Sequence, residues 1–249
     1  MSATEELFRE DATLLRCEAR LVEILPEGLV LDRTVFYPQG GGQAGDGGRL
    51  LLADGRAIAI ADTRKSRGDE ANPPRLLHVP AAGQEALLAE LAAALPLALS
   101  AEIDAERRRA HMRFHTATHL LCALVPHPVD GCSITAGYAR LDFHTAEPLD
   151  KEALSAGIAR LVAEAHAVRH RWISDAELDA NPQLVRSMSV QPPRGSGRVR
   201  LLEVEGVDLQ PCGGTHVGNT SEVGDVVVTK IEKKSAMTRR VVLGFASPV

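Results

Sequence analysis

Arg109-Ala-His-Met-Arg-Phe-His-Thr-Ala-Thr-His-Leu-Leu121 contains neither proline nor glycine and places His115 and His119 four residues apart. On an α-helix that spacing stacks the two imidazoles one turn apart on one face, where both can reach a single metal ion. Alone, the pair is a weak signal and fits better two histidines bonded to backbone carbonyls in a packed helix. Far downstream the chain reads Gln210-Pro-Cys-Gly-Gly-Thr-His216, with Cys212 and His216 again four apart. Paired glycines let the backbone fold closely enough for the two side chains to converge. Together the two segments offer a Cys1His3 set, and thiolate with imidazole selects zinc over magnesium or calcium. His111 extends the series by one more interval, and a surface or phosphate-facing role suits it better than that of a further ligand or a partner of a ligand.

The helix sits at a change of pattern. Upstream, short apolar alternations at 12–35, Arg49–Leu52, Ala57–Asp62 and Arg75–Val79 are separated by glycine and proline. This predicts a small β-barrel over residues 1–103, interrupted by one short helix at Gln84–Ala94. Residues Thr63–Pro74 read as an exposed loop. A boundary falls near Leu99–Ile103. Asp104 is an N-cap for a helix running to about Val125, where Pro126 ends it. Downstream, strands are predicted at Ser133–Ala136, Ala139–Phe143, Arg169–Ile173, Arg198–Glu205, Val223–Glu232 and Val241–Phe245. A second long helix fits Lys151–Val168, with Leu154, Ile158, Leu161, Val162 and Ala165 on one face. Ser189–Gly197 reads as a mobile loop by composition. The fold class is α+β: a β-barrel domain at 1–103 and an α+β zinc-containing domain at 104–249.

Composition narrows the function. Apolar residues make up 45% but aromatics only 3%, so the cores are aliphatic, and binding of long single strands by base stacking is disfavoured. The net charge of −5 means that any contact with nucleic acid rests on local patches. Four scattered cysteines and a start, Met1-Ser-Ala-Thr-Glu-Glu, with neither basic nor apolar leader character predict a cytoplasmic protein. No apolar run is long enough to cross a bilayer. His-Thr-Ala-Thr-His also lacks the glutamate of the His-Glu-x-x-His proteases, which argues against a peptidase. Four protein ligands are an awkward count for hydrolysis. Either one stays off, the ion expands its coordination, or zinc orients the substrate without generating hydroxide.

Three separated motifs resemble one family in its own order. Arg113-Phe-His-Thr-Ala-Thr-His-Leu-Leu121 and Cys212-Gly-Gly-Thr-His-Val217 are similar to the editing domain of alanyl-tRNA synthetase and its freestanding AlaX relatives. Phe36-Tyr-Pro-Gln-Gly-Gly-Gly-Gln-Ala-Gly-Asp46 resembles the glycine-rich motif of the family's translation-protein-like barrel. Lys230-Ile-Glu-Lys-Lys with Arg239-Arg240 resembles its closing strands. The resemblance implies a zinc-dependent aminoacyl-tRNA hydrolase that frees mischarged tRNA(Ala) of serine, and of glycine as a further target. It implies His115, His119, Cys212 and His216 as ligands of one Zn2+.

Around that set, Thr116 and Thr118 lie within the helix motif, each with the alternative of a hydroxyl bonded back to the helix. The family's pocket glutamine precedes an Arg-x-Asp-Phe strand, here Arg140-Leu-Asp-Phe143, but Val129 occupies the matching position. Ser133 and Thr135 are the substitutes expected to sense a seryl hydroxyl. Gln43 and Asp46 are candidates for shaping a cleft between the two domains and for tRNA binding there, against the alternative that Gly40–Gly48 is only a tight barrel turn. Arg107, Arg108, Arg109 and Arg113 crowd the first turns of the helix, where the dipole disfavours cations, which suggests phosphate contacts of the acceptor end, against the alternative of a solvated charged face. Lys230, Lys233 and Lys234, with Arg239 and Arg240, form a second basic cluster. Two rival readings remain: a zinc hydrolase of another small ester or amide, and a non-enzymatic tRNA-binding module with structural zinc.

Overall fold

The computed structural model describes residues 4–68, 73–185 and 197–246. They form two compact units. One holds the chain up to Gly40 together with Ala44–Arg108, and the other holds Gly41–Gln43 together with the chain from Arg109 onward. The division therefore falls inside a helix, and three residues of the glycine-rich stretch group with the second unit.

The first unit begins with β1 (Glu5–Glu6), β2 (Arg16–Leu25), β3 (Gly28–Leu31) and β4 (Arg33–Thr34). It continues with β5 (Gly48–Leu52), β6 (Ala57–Lys65), β7 (Leu76–Pro80), α1 (Glu85–Leu91) and β8 (Leu97–Ile103). Six of these strands close a barrel in the order β2-β3-β7-β6-β5-β8, with β8 pairing back onto β2 and the short β1 pairing separately with β4. The alternation is visible in β6, whose Ile58 and Ile60 point into the core while Ala57, Ala59 and Ala61 are exposed. Leu21, Leu29, Leu31, Phe36, Leu50, Leu99 and Ala101 fill the rest of the core. β8 is not among the strands predicted from sequence, although the barrel is expected to run through residue 103 with a boundary near Leu99–Ile103. Those residues are the strand that closes the barrel, and their pairing with Arg16–Leu21 leaves no local trace. β6 likewise runs three residues into the segment read as a loop, held by β7.

The second unit contains α2 (Ala105–Leu124), β9 (Val129–Ile134), β10 (Ala139–His144), α3 (Lys151–Ala163), β11 (Val168–Ser174) and α4 (Asp175–Asp179). After these come β12 (Arg198–Val204), β13 (Asp208–Pro211), β14 (Val226–Ser235) and β15 (Thr238–Phe245). Asp104 caps α2 by accepting from the Arg107 N–H at 3.0 Å. Asp150 does the same for α3 through Ala153. α3 stops short of the predicted Val168. Ala165 turns into a left-handed conformation at φ 55°, and Val168 is taken into the strand that pairs with β12. β13 and α4 are additions, the latter held by a capping box between Ser174 and Glu177. The strands form a four-stranded sheet, β14-β15-β10-β9, and a three-stranded sheet, β11-β12-β13. Apart from Gly197, the loop read at Ser189–Gly197 lies outside the described residues. No helix of the described residues is long and apolar enough to cross a membrane.

Candidate metal centre

α2 is buried along almost its whole length from Phe114 to Leu121, including Phe114, Ala117, Leu120 and Leu121. Its two histidines therefore occupy interior positions. His115 and His119 stack with ring centroids 5.7 Å apart, as the helical spacing requires. The segment after β13 returns to meet them. Cys212 continues the ladder by donating its N–H to Arg200 O at 3.0 Å. Arg200, buried, donates through Nη1 to Cys212 O at 3.1 Å and Gly214 O at 2.8 Å, which fixes the turn. Gly214 has no substitute there. A Cβ would lie 2.1 Å from His115 Cε1.

The result is one ligand atom from each of His115, His119, Cys212 and His216, all within 4.8 Å of one another. Cys212 Sγ lies 3.4 Å from His115 Nε2 and 3.2 Å from His216 Nε2. A tetrahedral ion with zinc–sulfur and zinc–nitrogen bonds of ordinary length separates its ligand atoms by about 3.3–3.8 Å. The cluster needs only small adjustments to fit.

The second nitrogen of every imidazole is also engaged. His115 Nδ1–H donates to Gln43 Oε1 at 2.8 Å. That amide is itself fixed, accepting from Thr215 N at 3.1 Å and donating to Thr215 Oγ1 at 2.9 Å. His119 Nδ1–H donates to Asp208 Oδ2 at 2.8 Å, and Gln210 Nε2 holds the carboxylate from behind. His216 Nδ1–H donates to Thr116 Oγ1 at 3.2 Å. In all three rings Nδ1 is the engaged atom and Nε2 is the one left to face a metal, the arrangement by which outer partners orient metal-binding histidines.

Burial by itself would lift the Cys212 thiol, but His115 and His216 beside it hold it well below its ordinary value, so the sulfur is a thiolate. Burial would lower His119, yet Asp208 and Cys212 outweigh it and raise this histidine to about 10. His216 is pushed well below the ordinary histidine value by burial and by His115. A sulfur held toward its thiolate among imidazoles is an environment suited to a cation. Cys212 keeps part of its surface, so the set is not sealed on every side.

The other sequence candidates divide sharply. Thr116 serves His216, whereas the Thr118 hydroxyl donates back to His115 O at 2.7 Å inside the helix. Ser133 and Thr135 lie on and beside β9. Thr135 Oγ1 closes the turn to β10 by bonding Tyr138 O, Tyr138 N and Gly137 N. Ser133 pairs with Arg140, on the sheet face that carries Asp142 and Arg240. Ile134, Leu141 and Val241 line the opposite, buried face, which packs toward α2, so Ser133 points away from the cluster.

Gln43 and Asp46, three residues apart, part company. Gln43 reaches His115. Asp46 lies in the first unit, 1% exposed, paired with the equally buried Arg108 and accepting from the Tyr37 N–H at 2.7 Å. Arg108 also donates to Ala12 O and Val35 O, so neither residue is available to RNA. Arg107 donates to Gly45 O at 2.7 Å. Arg113 binds Val223 O and Asp225 and lies over the Phe245 ring. Arg239 is buried against backbone carbonyls, and Arg240 pairs with Asp142. Arg109, Lys233 and Lys234 are exposed and form no ion pair among the described residues; Lys230, also exposed, pairs with Glu232. Asp208, Gln210, Arg200 and Gln43's role as a ligand partner escaped sequence reasoning. Only the position of Asp208 and Gln210 just before Cys212 could have drawn notice.

Residues 199–242 match the family described as the threonyl and alanyl tRNA synthetase second additional domain. The chain is 32% identical over 250 residues to the alanyl-tRNA editing protein AlaX-M of Methanosarcina mazei, covering 95% of this chain and 94% of that one. It is 30% identical to the AlaX-M protein of Saccharolobus solfataricus, with 96% and 97% covered. It is also 34% identical to the alanine–tRNA ligase of Metallosphaera sedula, over 92% of this chain but only 25% of the ligase. Against the ligases the likeness thus spans about a quarter of their length, whereas against the freestanding proteins it runs nearly end to end. The chain belongs to the AlaX-type alanyl-tRNA editing proteins.

Proposed function

We propose that this chain is a trans-editing enzyme that hydrolyses the ester joining a wrong amino acid to the terminal adenosine of tRNA(Ala). Seryl-tRNA(Ala) is the main substrate, glycyl-tRNA(Ala) a second, and one zinc ion per chain is required. The observation that carries this reading is the Cys1His3 cluster with an outer partner on every imidazole, in a chain of an editing family. When bound, zinc supplies a Lewis acid that orients the aminoacyl group and draws charge from the ester carbonyl. The protein's own part is to hold the four donors in place. Gln43, Asp208 and Thr116 each engage one imidazole through Nδ1, which turns Nε2 toward the other donors, and the histidines beside Cys212 hold its thiol well below its ordinary range.

The chemistry answers a real difficulty of recognition. A synthetase pocket for alanine cannot strongly reject a side chain that adds only a hydroxyl, so a second site that binds the hydroxyl is needed. Alanine entering such a site leaves polar groups unpaired and is released intact. RNA contact falls to Arg109, Lys230, Lys233 and Lys234, because the other basic candidates are engaged within the protein.

The test is deacylation of seryl-, glycyl- and alanyl-tRNA(Ala) by zinc-loaded and chelator-treated protein. Faster release of serine than alanine, lost with the metal, is expected; equal rates sink the proposal. Four protein ligands are also the usual count of a structural ion. A tRNA-binding module of that kind predicts that Cys212→Ala lowers the melting temperature while no hydrolysis exists to lose.

A further inference from the structure

Trp172 is the chain's single tryptophan, and it stands on β11, the edge strand of the three-stranded sheet. Its cross-strand partner is Arg200, and the next residue along that row is Cys212, whose N–H bonds Arg200 O. Residues directly opposite one another in a sheet project from the same face. The indole, the Arg200 guanidinium and the Cys212 sulfur therefore share one face, with Trp172 two strand spacings, about 10 Å, from the metal ligand. On this face burial decreases toward the edge. Gln210, Leu202 and Arg200 are buried, Trp172 is half-buried, and His170 and Arg198 are exposed. Arg198 lays its guanidinium over the indole at 4.2 Å from the ring centroid.

A half-buried aromatic ring and an exposed flat cation at a sheet edge form a surface on which a base can stack. The offset from Cys212 is of the order of one nucleoside. A base seated at Trp172 would leave its ribose oxygens directed along the row toward the ligand set. A second such pair, Arg113 over Phe245, differs in that its ring stacks on Phe114 of the interior and its guanidinium is held by Val223 O and Asp225, whereas Trp172 stands on an edge strand beneath the exposed Arg198.

We infer that Trp172 and Arg198 form the stacking platform for the terminal adenine of the acylated tRNA, and so set where the ester lies relative to His115, His119, Cys212 and His216. The inference rests on the proposed function for its substrate, but its first test does not depend on activity. Trp172 supplies the whole tryptophan fluorescence of the protein. The zinc-loaded full-length chain is titrated with the trinucleotide CCA, with adenosine 5′-monophosphate and with cytidine 5′-monophosphate, using N-acetyltryptophanamide to correct for absorbance.

Saturable quenching by CCA and by the adenosine nucleotide, stronger than by the cytidine nucleotide, is expected. Absence of saturable quenching by CCA overturns the platform. In steady-state deacylation, Trp172→Ala should raise KM about tenfold or more while changing kcat by no more than about twofold, with Trp172→Phe recovering most of the loss. A purely structural tryptophan would instead lower zinc content, thermal stability and kcat together in Trp172→Ala, without the KM effect, and that result also overturns the inference. If CCA quenches while no aminoacyl-tRNA is hydrolysed, the platform stands and the proposed function falls. If seryl-tRNA(Ala) is hydrolysed while CCA leaves the fluorescence unchanged, the function stands and the platform falls.

Discussion

Each imidazole of the cluster has its Nδ1 hydrogen committed to a different kind of acceptor: an amide, a carboxylate and a hydroxyl. Losing such a partner lowers metal affinity by about 10- to 100-fold, because the ring is freed to turn and to change tautomer. Gln43→Ala and Asp208→Asn should each weaken zinc binding by that order, measured by competition with a chromogenic chelator. Unchanged affinity in both would mean the ligand set is rigid without them. Gly214→Ala is more severe, since its Cβ would overlap the His115 ring; zinc content of the purified variant should fall well below one ion per chain. A residue outside the cluster carries a pH effect. His78 is fully buried in the first unit, with Thr34 Oγ1 2.8 Å from Nε2, and burial lowers it from 6.5 to about 4 despite its bond to Leu29 O. The unfolded chain gains this proton near pH 6.5 and the folded chain only near 4. Stability from neutral His78 is therefore whole above pH 6.5 and is lost as the pH falls toward 4, by about 3 kcal/mol. Urea unfolding at pH 7 and 4.5 should show a smaller loss in His78→Asn than in the wild type.

At the scale of the element, α2 shows why a run of arginines cannot be read as a surface. Arg107, Arg108 and Arg109 are consecutive, yet a step of about 100° per residue sends them to different surroundings. Arg107 binds Gly45 O, Arg108 is buried on Asp46, and Arg109 remains exposed. Removing one member of a buried ion pair strands the other charge and costs about 3–5 kcal/mol. Arg108→Ala should therefore lose stability of that order in denaturant titration, with no change in the salt dependence of tRNA binding. Arg109→Ala should do the opposite, keeping its stability and lowering the slope of log K against log salt by about one if Arg109 meets a phosphate. The strands teach a related lesson. β6 announces itself by alternation, but β13, Asp208–Pro211, contains residues that disfavour strands and exists because β12 supplies its ladder.

At the scale of the whole molecule, metal and fold are coupled through segments that are remote in sequence. His115 and Cys212 are 97 residues apart, and Gln43 and Thr215 are 172 apart. An ion joining such segments stabilises the native state only, so its removal should be felt by the second unit as a cooperative element. Chelation is expected to lower the melting temperature of the wild type by several degrees and to leave a Cys212→Ala variant nearly unmoved, as read by calorimetry before and after treatment. Equal shifts in both proteins would place the chelator's effect elsewhere.

Much of this was legible without coordinates. The alternating strands predicted the barrel, the spacing of His115 and His119 put both rings on one face of a helix, and the donor types of Cys212 and His216 marked them as members of one set that could hold a metal. Those inferences work because helical and strand periods are local, and because donor identity is a property of the side chain alone. The tertiary structure decided what no local period contains: that Gln43, Asp208 and Thr116 orient the ligands, that Asp46 and Arg108 are interior partners, and that Ser133 faces the wrong side of its sheet. Each depends on where the chain returns after tens of residues, and that is fixed by the packing of whole elements around buried cores rather than by the pattern within any one of them.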